Sequence, residues 1–187
     1  KFLFILNPDT FLVEDSFSRI LYSIKNLNKF GGIGPKMISD TGKMHKSFWE
    51  FPTLLSTILS LFHLDFLNNK KLLNSKLNNT CKVESISGGA LFLPKKIFLN
   101  ANGFNTSLFW MEDIDLCLQI NKLGYQIYYT SSTKIIHYIG KSAQKNLKIA
   151  IENQLTSKIK YFGLNHDMMQ MVIMALLSHM DFHKNQI

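Results

Sequence analysis

The sequence predicts an α/β domain followed by a helical tail. The chain opens with a short apolar run that stops at a turn, and its middle alternates strand-like and helix-like segments. Beyond residue 142 the pattern is helical. With 187 residues, 46% of them hydrophobic, one domain with a sizeable core is feasible. We therefore expect a domain over residues 1–142 and a helical tail over residues 143–187.

The first predicted element is a strand, Phe2–Leu6, which is wholly apolar and ends at the turn Asn7–Thr10. Such a run is typical of a buried strand in a parallel sheet. Ligands of open α/β sheets bind beyond the carboxyl ends of strands, where Asp9 lies, and a carboxylate there suits a hard divalent cation. The alternative for Asp9 is an ordinary Asx or proline turn.

A helix and a second strand are predicted next. Apolar side chains at helical spacing indicate a helix over residues 14–28, ended by Gly31 and Gly32. A strand over residues 33–38 should follow, with its turn at residues 40–42.

The middle of the chain combines an apolar stretch, a polar loop and a broken strand. Residues 54–67 are too short and too polar to span a bilayer. Residues 68–79 are rich in Asn and Lys, which predicts a solvated loop. A strand over residues 86–93 is interrupted by Gly88–Gly89, where a substrate can approach the backbone closely.

The tract Trp110–Leu116 places three carboxylates within four positions, directly after a Phe-Trp pair. Like charges at this spacing repel, so we expect a metal, a sugar hydroxyl or a helix N-terminus to use them. The simplest alternative is the solvated first turn of a helix over residues 113–123, ended by Gly124. The dipole of that helix would lower the pKa of Asp113.

A histidine ends the predicted apolar strand over residues 134–138. A single His at a strand end is usually a packed or exposed residue. Beside Asp9 and the carboxylate cluster, His137 becomes a candidate third metal ligand.

The tail predicts two helices, over residues 143–162 and 167–180. Five methionines occur in the second helix. Packing against the domain is the favoured interpretation, and the alternatives are an interfacial membrane contact or a homodimer contact.

Several of these segments occur in a recognisable order: Leu6–Thr10, Gly32–Met37, Asp40–Gly42, Phe51–Thr53, Val83–Leu93, Gly103–Asn105, Phe109–Leu116, Gly124–Tyr125 and Ile136–His137. Together they resemble the family 2 glycosyltransferases, which are inverting enzymes of GT-A fold, and particularly their rhamnosyltransferase-like branch. The resemblance covers residues 1 to about 160. It implies a Rossmann-like mixed sheet flanked by helices. It also implies an N-terminally incomplete fold, because relatives place their nucleotide-binding units before the first strand seen here.

The resemblance implies a role for each matching residue. Asp113 would be the general base that deprotonates the acceptor, and Glu112 would help to hold the acceptor. Asp9 would bind the divalent metal, Mg²⁺ or Mn²⁺, that bridges the donor diphosphate. Asn7 stands where many relatives have the first Asp of their motif, and His137 would complete the metal or diphosphate site.

The remaining expected substrate-binding residues are Ser87, Gly88, Gly89 and Trp110. Two positions depart from the family pattern. Asn105 replaces the usual Asp after Gly-Phe, and Gln119 stands where Arg is frequent. The second change removes a cation that could pair with Asp115.

The resemblance implies a hexosyltransferase that moves a sugar from a nucleotide-diphosphate donor to a saccharide or lipid-linked acceptor with inversion, in bacterial cell-surface polysaccharide synthesis. One alternative is a non-catalytic, truncated remnant that binds a glycan or a partner enzyme. Another is a phosphoryl-transfer or nuclease site built on Asp9, Asp113 and Asp115.

Composition adds expectations about partners and location. The net charge of +8 comes almost wholly from lysine, and RNA-binding aromatic motifs are absent, so no nucleic-acid partner is predicted. A modest attraction to anionic lipid favours peripheral membrane contact. Cys81 and Cys117 form no disulfide framework or zinc spacing, which favours the cytoplasm, with the inner face of the cytoplasmic membrane as a refinement.

Overall fold

The structure is a computed structural model that describes residues 1–13, 15–61, 78–138 and 147–184. These residues form two compact units. The first unit contains residues 1–13, 15–51, 78–105 and 113–138, and the second contains residues 52–61, 106–112 and 147–184. The division predicted at residue 142 stays a prediction.

The helices and strands follow one another in a mixed order. In chain order they are β1 (Phe2–Leu6), β2 (Thr10–Leu12), α1 (Ser16–Ser23), β3 (Phe30–Ile38), β4 (Met44–His45), β5 (Phe48–Trp49), α2 (Leu54–Leu61), β6 (Cys81–Val83), β7 (Ser85–Ile86), β8 (Ala90–Pro94), α3 (Lys95–Asn100), α4 (Glu112–Lys122), β9 (Gln126–His137), α5 (Leu147–Asn165) and α6 (Met168–Lys184).

The main sheet of the first unit is mixed. Its strands lie in the order β1-β8-β3-β9-β2, with β4 beside β3 and β6 beside β9. Among the described strands, β3 and β9 form the parallel pair and the other pairs are antiparallel. A second small sheet joins β5 to β7. The predicted fold class, a mixed sheet flanked by helices with further helices at the carboxyl end, is confirmed.

The core lies on both faces of this sheet, and β8 shows why. Its side chains alternate: Leu91 and Leu93 pack in the cluster that contains α4, whereas Phe92 packs with Ile20 of α1 and Ile33 of β3. All five are at most 1% exposed. Burial of each such side chain contributes about 1.5–3 kcal/mol, so the two helices are fixed on opposite faces of the sheet.

The prediction that β1 is a buried strand of a parallel sheet is wrong. Within the described residues β1 pairs with β8 alone, antiparallel, and lies at the sheet edge. Leu3 and Ile5 pack on the α4 side and Phe4 on the α1 side. The continuous apolar run therefore reflects two covered faces, and it carries no information about strand direction or a central position.

The predicted first helix is shorter than expected. It begins at Ser16, where the side chain of Asp15 accepts a hydrogen bond from the amide of Ser18, and it ends at Ser23 rather than residue 28. Glu14 lies outside the described residues. Gly31 and Gly32 do not end the helix, because both belong to β3. A Cβ at Gly31 would lie 2.6 Å from Ile120 Cγ2, so this glycine permits close packing of α4 on the sheet.

The pairing of β3 with β9 contains an irregularity at Pro35. Pro35 lies opposite Thr130, but the next residue, Lys36, lies opposite Lys134. Three residues of β9 thus have no counterpart in β3. Proline offers no N–H to the ladder, which explains the interruption at this point. Beyond it, β9 continues to His137, which pairs with Thr10 of β2.

Three further elements agree with the predictions. The strand over residues 33–38 is the carboxyl two-thirds of β3. The strand over residues 86–93 is indeed broken, into β7 and β8 around a turn at Gly88–Gly89. The helix after the acid tract is α4, and Gly124 follows it with a φ of +83°.

The second unit contains the predicted tail helices, α5 and α6, which pack against each other, while α2 packs against α6. The methionines of α6 differ in environment: Met174 is 1% exposed, whereas Met168 is 77% and Met169 68% exposed. Met174 is therefore a packed core residue of the second unit, whereas the packing of this helix against the domain of residues 1–142 stays a prediction. None of the described helices is long and apolar enough to cross a membrane.

The predicted loop at residues 68–77 and the helix start at 143 lie outside the described residues.

Candidate functional site

A tight turn between β7 and β8 forms the centre of the candidate site. The amide of Ser87 donates to Ser47 O (2.9 Å), and the amide of Ala90 donates to Ser87 O (3.3 Å). The amide of Gly89 donates to Ser87 Oγ (3.1 Å). These bonds fix the backbone of Gly88 and Gly89 where the strand is interrupted.

Asp113 lies against one side of this turn. The amide of Gly88 donates to its Oδ2, and the amide of Ile114 donates to its Oδ1, both at 2.8 Å. A Cβ at Gly88 would lie 3.3 Å from the Cβ of Asp113. The carboxylate is thus held by the N–H groups of Gly88 and Ile114 and by a further backbone hydrogen bond of Asp113 itself, which leaves lone-pair capacity on the two oxygens for another donor.

Burial raises the pKa of Asp113 above its ordinary value of 3.8. The amide hydrogen bonds from Gly88 and Ile114 oppose this rise without cancelling it. The expectation that the helix dipole lowers this pKa is therefore wrong, because desolvation of the charged carboxylate is the larger effect. A carboxylate with a raised pKa is a better proton acceptor.

Cys117 lies one helical turn after Asp113 and is fully buried. Its Sγ lies 4.0 Å from the carbonyl oxygen of Ile86, the residue before the turn. Burial raises the pKa of this thiol to about 12, with a further contribution from the charge of Asp113. Cys117 is consequently a neutral, apolar support beneath the turn.

Asp115, the third acid of the tract, has a different environment. It is 5% exposed, and Gln119 Nε2 donates to its Oδ1 at 3.2 Å. Gln119 stands where arginine is frequent in the glycosyltransferases that the sequence resembles, and it supplies a hydrogen-bond donor without a charge.

The turn Asn7–Thr10 lies on the other side of Gly89. The amide of Asn7 donates to Gly89 O (3.1 Å), and the amide of Tyr138 donates to Asp9 O (3.1 Å). Within the turn, the amide and hydroxyl of Thr10 both donate to Asn7 O, at 3.1 and 2.6 Å. The segment is therefore tied to both the glycine turn and the end of β9.

His137 and Asp9 approach each other at this point. His137 Nε2 lies 3.2 Å from Asp9 Oδ1, with side chains 12% and 30% exposed. The contact lacks hydrogen-bond alignment, and neither Asp9 Oδ1 nor His137 Nδ1 has a hydrogen-bond partner among the described residues, although both atoms are buried. A Cβ at Gly89 would lie 3.1 Å from His137 Cε1 and 3.3 Å from Nδ1.

This pair fits a hard divalent cation. Neighbouring ligand atoms on an octahedral ion with bonds of 2.0–2.1 Å are separated by about 3 Å, close to the observed contact. The described residues contain no group of three His, Cys, Asp or Glu side chains able to hold a metal. Two protein ligands suffice when substrate phosphates and water complete the site. A phosphoryl-transfer or nuclease site would need Asp9, Asp113 and Asp115 to form such a three-residue group, and the described residues contain none.

Part of the predicted site is assembled around two consecutive residues, Gly88 and Gly89. Gly88 contacts Asp113, and Gly89 contacts His137, whose ring approaches Asp9. Adjacent Cα atoms are about 3.8 Å apart. In the direction that a Cβ would take, the space beside each glycine is occupied by one of these two side chains. The approach of a substrate to the backbone of Gly88 and Gly89 stays a prediction.

Trp110 and Glu112 belong to the second unit. There the hydroxyl of Ser157 accepts hydrogen bonds from the amides of Phe109 and Trp110, both at 3.2 Å. Phe109 and Trp110 are 67% and 38% exposed, with ring centroids 6.1 Å apart. Glu112 is partly buried as the first residue of α4. Ser157 was not predicted as a site residue because nothing in the sequence around it indicates a contact with Trp110, 47 positions away.

One sequence comparison bears on this site. The chain is 25% identical over 165 residues to rhamnosyltransferase WbbL of Escherichia coli (strain K12). The matched region covers 87% of this chain but 61% of WbbL, so the chain spans about three fifths of this curated relative. The predicted resemblance to rhamnosyltransferase-like proteins is confirmed by this similarity. No protein-family model matches the chain.

Two solved structures show weaker similarity. GalNAc-T7, solved with UDP, GalNAc and Mn²⁺, has a TM-score of 0.48 and 11% identity over 73% of this chain and 27% of that one. A197 from STIV has a TM-score of 0.43 and 15% identity over 74% and 58% of the two chains. These similarities are too weak to support inferences about function.

Proposed function

We propose that the protein is a metal-dependent glycosyltransferase that moves a sugar from a nucleotide-diphosphate donor to a saccharide or lipid-linked acceptor with inversion. The observation that carries the proposal is the pair Gly88–Gly89, which has the partly buried carboxylate of Asp113 beside one residue and the Asp9–His137 pair beside the next. Inverting transfer is a single displacement. It needs a base at the acceptor and stabilisation of the leaving group on the opposite side. The similarity to a rhamnosyltransferase supports the same assignment.

Asp113 acts as the base. The amides of Gly88 and Ile114 fix its carboxylate, and the free lone pairs remain available to the acceptor hydroxyl. Because burial raises its pKa, Asp113 takes a proton more readily than an exposed aspartate. The acid limb of the pH–activity profile should therefore lie above 3.8.

Asp9 and His137 hold the divalent cation. When bound, Mg²⁺ or Mn²⁺ supplies positive charge that stabilises the leaving diphosphate. The imidazole nitrogen favours Mn²⁺, because Mg²⁺ prefers oxygen ligands. Asn7 lies beside this pair and supplies an amide side chain to the donor.

Ser87 completes the donor side of the turn, whereas Trp110 and Glu112 bind the acceptor. An exposed aromatic ring such as that of Trp110 offers an apolar surface to a sugar. We place the reaction in cell-surface polysaccharide synthesis at the cytoplasmic face of the membrane, where the net charge of +8 favours anionic lipid.

The direct test expresses the protein from its complete coding region and offers it nucleotide-sugars with Mn²⁺ or Mg²⁺, in the presence of saccharide and lipid-linked acceptors. Release of nucleoside diphosphate by the wild type, and its loss in Asp113→Asn, is the expected result. Equal release of nucleoside diphosphate by both proteins would refute Asp113 as the base. If no donor is consumed by the wild type, the transfer reaction is refuted. The non-catalytic, glycan-binding alternative would then remain.

A further inference from the structure

We propose that Gly89 is a positioning residue for His137, and that its missing side chain determines where the imidazole ring lies and how Nε2 faces Asp9. This inference rests on the proposed function, because it concerns the metal-binding half of that site. It assigns Gly89 a role different from substrate contact.

The backbone does not require glycine at this position. The φ angle of Gly89 lies outside the left-handed region, in contrast to Gly42, Gly103 and Gly124. An alanine could therefore adopt the same backbone conformation. The constraint is one of space.

The space beside Gly89 is filled by the imidazole ring of His137, which an added side chain would have to displace. An added Cβ would lie 3.1 Å from His137 Cε1, 3.3 Å from its Nδ1 and 3.1 Å from Met37 Cε. Met37 Cε is the end of a flexible side chain, so it can move at little cost. The imidazole is rigid, and its Nε2, which is bonded to Cε1, lies 3.2 Å from Asp9 Oδ1. The added methyl would consequently move the ring.

Movement of Gly89 away from the ring would disturb the site in another way. Its amide donates to Ser87 Oγ and its carbonyl accepts from the amide of Asn7, both at 3.1 Å. Asn7 in turn precedes Asp9 by two residues, so a shift of the Gly89 backbone would also disturb the second ligand. Either displacement changes the relative placement of His137 and Asp9.

Substitutions that disturb the support of a metal ligand typically lower metal affinity by about 10–100-fold. We expect Gly89→Ala to weaken Mn²⁺ binding by about tenfold, at the lower end of this range, because the ligands themselves are retained. His137→Ala should weaken binding more. In the His137→Ala background, Gly89→Ala should have no further effect, since the ring it displaces is gone.

The experiment measures Mn²⁺ affinity of the purified protein by electron paramagnetic resonance of free Mn²⁺. A fixed concentration of nucleoside diphosphate completes the site, a protein-free Mn²⁺–diphosphate mixture is the blank, and the absence of sugar donor and acceptor excludes turnover. The four proteins of the cycle are the wild type, both single variants and the double variant. Gly32→Ala is the matched control: it adds a methyl to another buried glycine, 3.3–3.4 Å from Leu91, Ile127 and Leu93 and away from His137. Its Mn²⁺ affinity should equal that of the wild type.

Three results would overturn the inference. Unchanged affinity in Gly89→Ala with weakened affinity in His137→Ala would refute positioning and leave the metal site intact. An equal effect of Gly89→Ala with and without His137 would show that the methyl acts elsewhere. Unchanged affinity in His137→Ala would refute both the positioning and the metal site of the proposed function.

Folding is followed by circular dichroism and denaturant unfolding. Should Gly89→Ala fail to fold, Gly89→Ala combined with Met37→Leu provides the same test. The shorter leucine removes the contact with Met37 Cε and keeps the volume of the core nearly constant. The contact with His137 remains, so the tenfold loss of Mn²⁺ affinity is still expected.

Discussion

Asp113→Asn tests the proposed base most directly, and the structure sets the size of its side effects. Both carboxylate oxygens of Asp113 accept a backbone N–H, from Gly88 and from Ile114. Asparagine offers one oxygen, so one of these amides would face an NH₂ group. An unsatisfied buried donor costs about 1–3 kcal/mol. Loss of the buried charge offsets part of this cost, because burial disfavours the carboxylate. The variant should therefore fold, with a stability loss of at most about 3 kcal/mol.

Its effect on transfer should be much larger. The asparagine amide cannot accept the acceptor's proton, and a general base contributes about 10²–10⁴-fold to the rate. We expect kcat to fall by this factor, while the KM for the donor stays nearly constant. Initial rates of nucleoside diphosphate release at saturating donor measure the first quantity, and denaturant unfolding measures the stability.

Asp115→Asn provides the matched control. It removes one carboxylate from the same helix, and Asp115 is buried and bonded to Gln119. Per folded molecule, this variant should retain turnover close to that of the wild type. The assignment of Asp113 as base would be excluded by a folded Asp113→Asn protein whose kcat falls no more than that of Asp115→Asn.

Three further predictions concern stability and reactivity. The pKa of Asp113 is raised above 3.8 in the folded state, so the folded protein binds this proton more tightly than the unfolded chain. The stability of the wild type relative to Asp113→Asn should therefore fall as the pH rises above that value. Denaturant unfolding over a pH series checks the sign. Cys117, with a pKa of about 12, should resist iodoacetamide in the native protein and react only after unfolding. Peptide mass spectrometry measures this reaction, and alkylation of Cys117 before unfolding would contradict the prediction. Gly34→Ala would place a methyl in overlap with Ile86, and we expect a loss of about 1–3 kcal/mol in unfolding free energy; a stability equal to that of wild type would refute this close packing.

Local patterns predicted the elements around the site because each pattern has a local cause. The glycine pair interrupts a strand, and Gly124 follows α4 with a positive φ. The end of the first helix was less predictable. Apolar residues continue at helical spacing to Leu27, but Ile24 and Leu27 lie beyond Ser23 and still pack against the core. Spacing reports which side chains are buried, and a turn can bury them as well as a helix.

Long-range features were beyond the sequence patterns. Nothing in the apolar run of β1 distinguishes an antiparallel edge strand from a parallel central one. The pKa of Asp113 depends on burial, and its helical position alone suggested the opposite shift. The proposed role of Gly89 depends on His137, which lies 48 positions away in the sequence. The local pattern therefore predicted the break in the strand but not the side chain that lies beside the glycine.

The interruption opposite Pro35 divides β9 into two separately anchored parts. The first, Gln126–Thr130, belongs to the core, and the second, Lys134–His137, ends in the proposed metal ligand. Each part has its own pairing with β3, and the second is also held by β2. Residues 131–133 are held by α1 instead: Thr133 is 3% exposed, and its Oγ1 donates to Ser16 Oγ at 3.0 Å. A change in the length of residues 131–133 would therefore disturb the contact of β9 with α1 as well as the placement of His137.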